Sequence, residues 1–401
     1  MVHDALIVGA GPAGSFLAHL LAKEGLNVAV IDKEKFPRDK VCGGGLSNKT
    51  IDLLGFDITP VVERNIAGAL VTYQNKQTII KDLDGRAGVT VLRSSFDNLL
   101  LQKAVQNRAV FHPNCLFLDC KYNDDCVTIT TSKGLMKAKY LIGADGVYSK
   151  IRAKIFGRNI VNYAPALETL IYVDPNIIDI FENRILLDFG GTNRGYGWIF
   201  PKKDHLNVGV FSIYRGNKLK NELREFMSYY DFLKDYKSIK YLGHSIPIYN
   251  QKNIYQKNCV LLIGDAAGLA EAFFGEGIYY ALKSAQLAAY AILNAFANDD
   301  INLYTKYVKQ EIVADMHYSL LNARLFFSFQ KLSYYRLARN IHVSDCFAEL
   351  ITGKVNHRKC FFDTFLTFPY WMFTQKHQFA NPLSSKNIYG HLPGGKFDAS
   401  V

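Results

Sequence analysis

Cysteine pairs, metal-binding spacings and tryptophan are scarce in this sequence. Its seven cysteines are an odd number, and none forms a CxxC pair or lies at the Cys/His spacing of a zinc site. We therefore expect free, mostly buried thiols and no metal. Only two tryptophans occur, and no segment resembles a nucleic-acid-binding module. The sequence thus argues against nucleic acid as a partner.

An uninterrupted apolar run long enough to cross a membrane is also lacking. The longest strongly apolar stretch, residues 5–22, contains three glycines, a proline and His19, whereas a spanning helix needs about 20 predominantly apolar residues. We interpret this stretch as a strand, a turn and a helix. No positively charged segment precedes it, as a secretory signal would require. We therefore expect a cytoplasmic protein, with peripheral contact at the inner membrane surface left open.

What is present is a basic chain able to form a large core. The 401 residues are 49% hydrophobic, and this length suggests about two or three domains. Lys and Arg number 47 against 36 Asp and Glu, which gives a formal net charge of +11. Such an excess favours anionic partners such as phosphate groups or lipid headgroups, although a solvated basic surface explains it equally well.

The N-terminus carries a dinucleotide-binding pattern. A short apolar run enters the turn GAGPAG at residues 9–14, and an apolar helix is predicted over 15–23. Gly9 permits the tight turn, Gly11 lets backbone amides approach a pyrophosphate, and Gly14 allows helix and strand to pack closely. The phosphates would then lie at the helix N-terminus, where unpaired amides and the helix dipole favour an anion.

A second strand and an acidic residue extend this pattern. The predicted strand 28–31 ends at Asp32, about twenty residues beyond the turn, where a carboxylate accepts hydrogen bonds from an adenosine ribose. Together the two strands, the helix and the acid indicate a dinucleotide site rather than an ordinary glycine loop. They leave the choice between FAD and NAD open.

Three later segments resemble motifs of FAD-dependent proteins. The sequence GADG at 143–146 resembles the signature of flavoprotein hydroxylases and their relatives. The sequence GDAAG at 264–268, with GEGI at 275–278 and a helix of small residues, resembles the second FAD motif of the same fold. The segment around Arg93 resembles the one whose arginine contacts the cofactor. The resemblance implies FAD, with Asp265 at the ribityl chain or pyrophosphate.

Two further segments narrow the resemblance. The loop KFPRDKVCGGGL at 35–46 and the sequence GYGWIFP at 195–201 resemble the geranylgeranyl reductase family, which hydrogenates carbon–carbon double bonds of isoprenoid chains. The likeness extends over about residues 2–300 and weakens sharply beyond them. It implies an α/β fold in which a Rossmann-type FAD-binding domain carries an inserted mixed β-sheet substrate domain and a helical C-terminal cap.

These resemblances imply three sets of site residues. The implied cofactor contacts are Gly9, Gly11, Pro12, Ala13, Gly14, Asp32, Lys33, Arg38, Cys42, Gly43, Gly44, Arg93, Asp145, Gly146, Gly264, Asp265, Gly275, Gly277 and Ile278. The implied substrate pocket is Gly45, Leu46, Tyr196, Trp198, Phe200 and Pro201. The candidate catalytic residues are Cys42, as a proton donor or a contact that tunes the flavin, and Tyr196 as a second possible donor.

The aromatic residues Tyr196, Trp198 and Phe200 alternate along a predicted strand. One face of that strand would line an apolar pocket above the flavin, and an ordinary aromatic sheet face is an equally good interpretation. Cys42 likewise has the alternative role of a small buried apolar side chain.

The domain bounds follow from the same likeness. The FAD-binding domain is placed at 1–60, 88–157 and 254–300, the substrate-binding domain at 61–87 and 158–253, and the cap and tail at 301–401. Short strands of the substrate domain are predicted at 69–73, 184–189 and 206–213.

Aromatic residues crowd the carboxy-terminal third of the chain. They are Phe326, Phe327, Phe329, Tyr334, Tyr335, Phe361, Phe362, Phe365, Phe368, Tyr370, Trp371 and Phe373, and Arg324, Lys331, Arg336 and Arg339 interleave with the first of them. We interpret the segment as a helical cap that packs its own core, compatible with a tunnel wall or with peripheral membrane contact. Residues 381–401 are expected to wrap the surface or remain loose.

The expected reaction has two halves. NADPH, NADH or a small electron-transfer protein reduces FAD, and hydride then passes to one alkene carbon of a hydrophobic, prenylated substrate while a proton reaches the other. No second dinucleotide turn occurs in the sequence, but in this fold a nicotinamide cofactor commonly binds without one.

Two rival functions stay open. One is a flavin monooxygenase or dehydrogenase acting on an apolar small molecule. Hydroxylases usually carry other residues where Gly268 and Glu276 stand, and halogenases carry tryptophan and isoleucine where Tyr196 and Phe200 stand. The other rival is a non-catalytic flavin-bound protein that interacts with membranes.

Overall fold

The computed structural model describes residues 2–83, 87–122, 126–157, 161–216, 218–234, 240–298 and 303–366. The strands are β1 (Val2–Val8), β2 (Val28–Ile31), β3 (Gly45–Ser47), β4 (Val62–Ile66), β5 (Gly68–Tyr73), β6 (Gln77–Asp82), β7 (Gly88–Val91), β8 (Val110–His112), β9 (Phe117–Tyr122), β10 (Val127–Thr131), β11 (Gly134–Gly143), β12 (Asn162–Tyr172), β13 (Arg184–Asp188), β14 (Gly195–Pro201), β15 (His205–Ser212), β16 (Leu242–Ile248), β17 (Gln256–Lys257) and β18 (Val260–Leu262). The helices are α1 (Pro12–Lys23), α2 (Asn48–Leu54), α3 (Arg93–Gln106), α4 (Pro175–Asp179), α5 (Leu219–Ser228), α6 (Ile278–Asn298), α7 (Leu303–Val308), α8 (Ala314–Ser328), α9 (Gln330–Arg339), α10 (Ile341–Thr352) and α11 (His357–Leu366).

The first sheet is the dinucleotide-binding layer. Strand β1 lies between β11 and β2, all three parallel, with β18 added beside β11 and β8 beside β2. The register pairs Val8 with Gly143 and with Ile31, and Gly143 with Leu262. Because parallel strands end at a shared edge, all three glycine motifs and Asp32 emerge at the same edge.

Helices cover this sheet because its strands are apolar on both faces. All four residues of β2 and the last four of β1 are buried, as expected for a parallel sheet. Helix α1 packs between α3 and α6. A Cβ at Gly143 would lie 2.6 Å from Cδ2 of Leu262, so β11 and β18 meet closely at the edge where the motifs begin.

The second sheet has seven strands in the order β16-β12-β15-β14-β13-β5-β6. Neighbouring strands are antiparallel except for the parallel pair β13 and β5. The predicted strands at 69–73, 184–189 and 206–213 form β5, β13 and β15. The Rossmann-type α/β fold with an inserted mixed sheet is therefore confirmed.

A small third sheet joins the two layers. It consists of β3, β7 and β4, with β7 in the middle. The segment 61–87 is thus divided, because β4 pairs with β7 whereas β5 and β6 belong to the seven-stranded sheet. This arrangement holds the glycine loop before β3 against the second sheet.

The cap is helical, as predicted, but its core is shared with the second sheet. Phe327 of α8 packs on Phe273, with ring centroids 5.3 Å apart, and Phe326 packs on Phe189 at 4.8 Å. Phe329 instead is 64% exposed. Phe368, Tyr370, Trp371, Phe373 and the tail 381–401 lie outside the described residues. Within the described part of the chain, every helix is too short or too polar to span a bilayer.

Candidate active site

A cavity of about 290 Å³ lies where the edge of the first sheet faces the second sheet. Residues that follow β1, β11 and β18 line one side, and residues of β12 to β16 line the other. The glycine loop before β3 and helix α10 of the cap complete the wall. All three layers of the protein therefore contribute to one space.

The glycine turn behaves as its spacing indicates. A Cβ at Gly14 would lie 1.9 Å from the carbonyl oxygen of Gly9, so only glycine allows α1 to pack this closely. Gly9 has φ +106°, and a Cβ there would meet the carbonyl oxygen of Ala144 at 2.3 Å. At Gly11, by contrast, a Cβ would meet only the Nη2 of Arg38, at an ordinary contact distance of 3.7 Å, and Gly11 lines the cavity with Pro12.

Helix α1 begins directly after Gly11. Gly11 is its N-cap residue and supplies no side-chain hydrogen bond, and Pro12 follows as the first helical residue. The first amides of a helix have no partner within it and carry a partial positive charge. The start of α1, where Ala13 also lines the cavity, is thus suited to an anionic group such as a pyrophosphate.

Asp32 holds the glycine turn in place. Its carboxylate accepts hydrogen bonds from the backbone N–H of Ala10 at 2.7 Å and of Glu34 at 2.9 Å. Lys33 is exposed, lies 3.9 Å from Glu34 and does not line the cavity. The ribose contact assigned to Asp32 and the cofactor contact of Lys33 stay predictions.

Arg38 and Arg93 share one buried carboxylate. Arg93 donates two hydrogen bonds of 2.7 Å to Asp97, one turn along α3, and Arg38 lies 2.9 Å from the same group. Arg93 lines the cavity and also interacts electrostatically with the side chain of Cys42. Burial opposes its charge, but Asp97 and Cys42 outweigh burial and raise the pKa of Arg93.

The GADG segment is tied to the second FAD motif by Arg152. This buried guanidinium donates to the carbonyl oxygens of Ala266 at 2.7 Å and Asp265 at 3.3 Å. Asp145 accepts from the backbone N–H of Lys150 at 2.7 Å and does not line the cavity, whereas Gly146 does. Burial raises the pKa of Asp145. Its carboxylate holds the backbone that follows, and its contact with the cofactor stays a prediction.

A second helix N-terminus faces the cavity beyond Asp265. Gly275, Gly277 and Ile278 line it, and α6 begins at Ile278. Asp265 is 3.4 Å from the Nζ of Lys40, another lining residue. Gly264 is buried, and a Cβ there would lie 3.1 Å from the Cβ of Ala13, so a glycine at this position lets α1 pack closely against the motif. Gly264 does not line the cavity.

The glycine loop is fixed at its backbone. The N–H of Cys42 donates to Oε1 of Glu168 at 3.0 Å, and the N–H of Gly44 contacts the Sγ of Cys42 at 3.4 Å. The buried Nζ of Lys202 donates to the carbonyl oxygens of Gly43 at 2.8 Å and Val91 at 2.9 Å. Both ends of the loop are therefore held by buried polar side chains.

Three ionisable side chains, Arg93, Glu168 and Lys202, lie around Cys42. Burial lowers the pKa of Lys202 to about 8 and raises the pKa of Glu168. Arg93 and Lys202 each interact electrostatically with Cys42, and both also interact with Glu168. Two basic side chains, Arg93 and Lys202, therefore lie beside the Cys42 side chain.

The aromatic residues of β14 line the cavity together. Tyr196 donates its hydroxyl to the carbonyl oxygen of Phe274 at 2.5 Å, and Trp198 donates its Nε1 hydrogen to Asn207 at 2.7 Å. Phe200 lies against the loop, 3.1 Å from the Cβ position of Gly45. Burial and then Glu271 raise the pKa of Tyr196. The three alternating aromatic residues therefore all face the cavity. Of the other predicted pocket residues, Leu46 lines the cavity and Pro201 does not.

Sequence reasoning missed part of this wall. Glu168, His244 and Glu276 line the cavity, and so do Leu350 and Ile351 of α10. Burial and then Lys40 lower the pKa of His244 to about 4, so its ring is neutral. Glu276 accepts from Ser47 at 2.8 Å. Of these residues, only Glu276 lies in a recognisable motif.

The cavity fits an elongated anionic dinucleotide with a flat ring. One end has the backbone of Gly11 and two helix N-termini, which suit a pyrophosphate. The middle has glycine backbone between Cys42 and Leu46, and the far end is apolar, lined by Ile66, Ile185, Leu187, Phe274, Leu350 and Ile351. Among the described residues, no group of three His, Cys, Asp or Glu side chains is placed to hold a metal ion.

Comparison with known proteins agrees with this geometry. Residues 3–159 match the FAD binding domain family. The chain is 32% identical to an uncharacterized protein of Methanosarcina barkeri, over 83% of this chain and 86% of that protein. It is 30% identical to a geranylgeranyl diphosphate reductase of Synechocystis, over 77% of this chain and 81% of the relative. A digeranylgeranylglycerophospholipid reductase of Methanocaldococcus jannaschii is 27% identical over 81% of this chain and 85% of the relative.

Longer plant relatives are matched in part, and solved structures share the fold. The chain spans 65% of a chloroplastic geranylgeranyl diphosphate reductase of Nicotiana tabacum, at 28% identity over 72% of this chain. A geranylgeranyl bacteriochlorophyll reductase-like protein of Thermoplasma acidophilum superposes with a TM-score of 0.75, covering 92% of this chain and 98% of the other at 22% identity. The flavin-dependent brominase Bmp2 superposes with a TM-score of 0.68 at 19% identity, covering 92% of this chain and 100% of the brominase. The fold is therefore shared by a reductase-like protein and a brominase, and the sequence relatives decide between families. The chain belongs to the geranylgeranyl reductase family and is an FAD-dependent oxidoreductase.

Proposed function

We propose that this protein reduces carbon–carbon double bonds of an isoprenoid or other lipid-like substrate. The observation that carries the proposal is the continuity of one cavity from the glycine turn at Gly11, past Cys42 and Trp198, to the apolar end at Ile351. Relatives named for geranylgeranyl and digeranylgeranyl compounds support the substrate class. A cavity with a polar cofactor end and an apolar substrate end suits hydride transfer to a prenyl chain.

Bound FAD, once reduced, would supply the hydride, and the chain's own residues would bind the cofactor, hold the substrate and deliver the proton. The turn at Gly11–Ala13 and the start of α6 at Ile278 would hold the cofactor's anionic part. The aromatic face of β14 and the apolar end would hold the substrate chain and exclude water. An alkene placed between these two groups of residues would lie beside Cys42.

Cys42 is the proton donor in this proposal. A thiol can donate its proton to an alkene carbon. The positive charges of Arg93 and Lys202 act on the Cys42 side chain and would offset the negative charge left there by the transfer. Tyr196 is less suited, because its hydroxyl already donates to the carbonyl of Phe274.

NADPH, NADH or a small electron-transfer protein is the proposed reductant for the cofactor. The formal net charge of +11 favours each of them, because nucleotide phosphates and many electron carriers are anionic. Stopped-flow reduction by each donor in turn would identify the one that works fastest.

The experiment that tests the function is anaerobic reoxidation. Reduced enzyme mixed with a geranylgeranyl substrate should regain the oxidised flavin spectrum and yield a product two hydrogen atoms heavier. Reoxidation that requires oxygen, with an oxygenated product, would establish the monooxygenase instead. No substrate-dependent reoxidation under either atmosphere would leave the non-catalytic flavin-bound protein.

Peripheral membrane contact belongs to the same proposal, and we assign it to one surface of the cap. Leu325 is 53% exposed, Phe329 64% and Leu332 57%, and Arg324 and Lys331 beside them are exposed as well. We call these five residues the cap patch. Exposed apolar side chains flanked by cations suit the interface of an anionic bilayer. Contact there would place α10, which lines the cavity, near the source of a lipid substrate.

A further inference from the structure

A buried ion pair joins the cap to the loop that precedes α6. The Nε2 of His357, the first residue of α11, lies 3.2 Å from Oε2 of Glu271. Glu271 is fully buried and His357 is 3% exposed. Neither residue lies in a motif that the sequence identifies, and neither lines the cavity.

Glu271 organises the turn around it. Its carboxylate accepts backbone N–H groups from Phe273 at 2.8 Å, from Phe274 and from Glu276 at 3.2 Å. The hydroxyl of Ser319 on α8 donates to it at 2.6 Å. A single buried carboxylate thus fixes the chain between the second FAD motif and the start of α6, and His357 supplies its counter-charge.

This turn forms part of the cavity wall. Phe274, Gly275 and Glu276 line the cavity directly before Gly277 and the helix N-terminus at Ile278. The carbonyl of Phe274 also accepts the hydrogen bond from Tyr196. The position of the α6 N-terminus and of the aromatic wall therefore depends on how Glu271 is held.

We propose that His357 is a positioning residue of the FAD site, acting through Glu271, so that docking of the C-terminal cap and cofactor binding are coupled. Without the imidazolium, Glu271 would remain as a buried carboxylate with no counter-charge, and the turn would rearrange to expose it to water. The α6 N-terminus would then leave its place at the cavity. This inference concerns cofactor affinity and is independent of the substrate proposed above.

The coupling should depend on pH. Burial opposes the charge on His357, but Glu271 and Asp315 outweigh burial and raise its pKa above the usual 6.5. Lys49 acts in the opposite direction, and Ser319 and the rings of Phe273 and Phe274 also face the pair. A raised histidine pKa means that the stabilisation is complete below about pH 6.5 and is lost as the pH rises through the higher folded value.

The test is FAD binding to apo-protein, measured by flavin fluorescence between pH 6 and pH 9. His357→Gln keeps a neutral hydrogen-bond donor and removes the charge, and we expect its Kd for FAD at pH 6 to rise about tenfold. Wild-type affinity should weaken toward pH 9, whereas the variant should show a flatter profile. His342→Gln, an exposed histidine on α10, is the matched control and should behave as wild type.

Two results would overturn the proposal. One is wild-type FAD affinity and an unchanged pH profile in His357→Gln, even with a lowered apo-protein Tm, since that pattern describes a residue that only stabilises the cap. Should His357→Gln not accumulate as folded protein, Ser319→Ala decides: it removes the neighbouring donor to Glu271, and we expect a Kd about threefold higher. An unchanged Kd in Ser319→Ala would then refute the coupling.

Discussion

The carboxylate of Glu168 accepts a hydrogen bond of 3.0 Å from the backbone N–H of Cys42, 126 positions earlier in the chain. This contact ties the glycine loop to β12 of the second sheet, and it places a buried acid beside the candidate proton donor. Lys202, the residue after β14, holds the same loop. The loop is therefore a fixed part of the cavity wall, positioned from the substrate layer.

Two substitutions of Glu168 should distinguish the effect of its charge on stability from the effect of its hydrogen bond. Burial raises the pKa of Glu168, so its ionised form is disfavoured in the folded state above the unfolded pKa of about 4.3. Glu168→Gln should therefore keep or raise the free energy of unfolding at pH 7. Glu168→Ala leaves the buried N–H of Cys42 without a partner and should lower it by about 1–3 kcal/mol. Urea unfolding of both variants measures the difference; equal losses would mean that the hydrogen bond is unimportant.

Cys42→Ser should keep FAD and lose rate. The loop keeps its backbone contacts to Glu168 and Lys202, while a hydroxyl is a far weaker acid than a thiol. We expect anaerobic reoxidation by a prenyl substrate to slow by about 100-fold, the usual scale of general acid catalysis. Cys126→Ser, at a half-buried cysteine outside the cavity, is the control. Equal rates in Cys42→Ser and wild type would remove Cys42 from the mechanism.

Lys202 should make stability depend on pH. Burial lowers its pKa to about 8 from 10.5, so between these values the unfolded chain binds the proton and the folded chain does not. Stability relative to Lys202→Met should therefore rise with pH across this window, by about 3 kcal/mol at about 1.4 kcal/mol per unit. Chemical denaturation at pH 7.5 and 10 measures it. Lys203→Met, whose side chain is 63% exposed, should show no such change.

Ile351→Trp should shorten the substrate that the enzyme accepts. Ile351 and Leu350 of α10 close the apolar end of the cavity, and an indole there would fill it. We expect KM to rise about tenfold for a geranylgeranyl substrate and little for a geranyl one, because one to two kcal/mol of apolar contact is lost. Ile341→Trp, at a 37% exposed position on the same helix, is the control. An equal rise in KM for both substrates would mean that the prenyl chain of the substrate binds elsewhere.

The cap patch should carry membrane binding. Phe329→Glu combined with Leu332→Glu should lower co-sedimentation with vesicles containing phosphatidylglycerol by about tenfold, because apolar area and charge attraction are lost together. Leu135→Glu, at a 72% exposed position on β11, matches the change in charge per site at a distant surface. Retained binding in the double variant, or an equal loss in Leu135→Glu, would refute the assignment.

The cofactor-binding part of the fold could be predicted because its signals are local. Gly9, Gly14 and Gly264 each stand where a Cβ would meet a neighbouring atom at 3.1 Å or less. Asp32 and the strands that carry the motifs are close in sequence to those glycines. Since parallel strands end at one edge, motifs that follow them were expected to meet there.

The substrate wall was predicted only in part. The alternation of Tyr196, Trp198 and Phe200 indicated a face, but an aromatic sheet core gives the same pattern, and only the pairing of β14 with β13 and β15 turns that face to the cavity. His244 carries no local signal, because its strand β16 reaches the site by pairing with β12.

By itself, the sequence determined a dinucleotide site on a Rossmann-type core, because tight turns and helix starts demand particular residues at fixed spacing. Its resemblance to known motifs then supplied FAD and the family. The tertiary structure decided which distant side chains act on that core. Glu168 meets Cys42, and His357 meets Glu271, across segments that share no local pattern. Such contacts arise when separate layers pack against each other. Burial raises the pKa of Glu168, whereas pairing outweighs burial for Glu271 and His357, lowering the pKa of the acid and raising that of the imidazole.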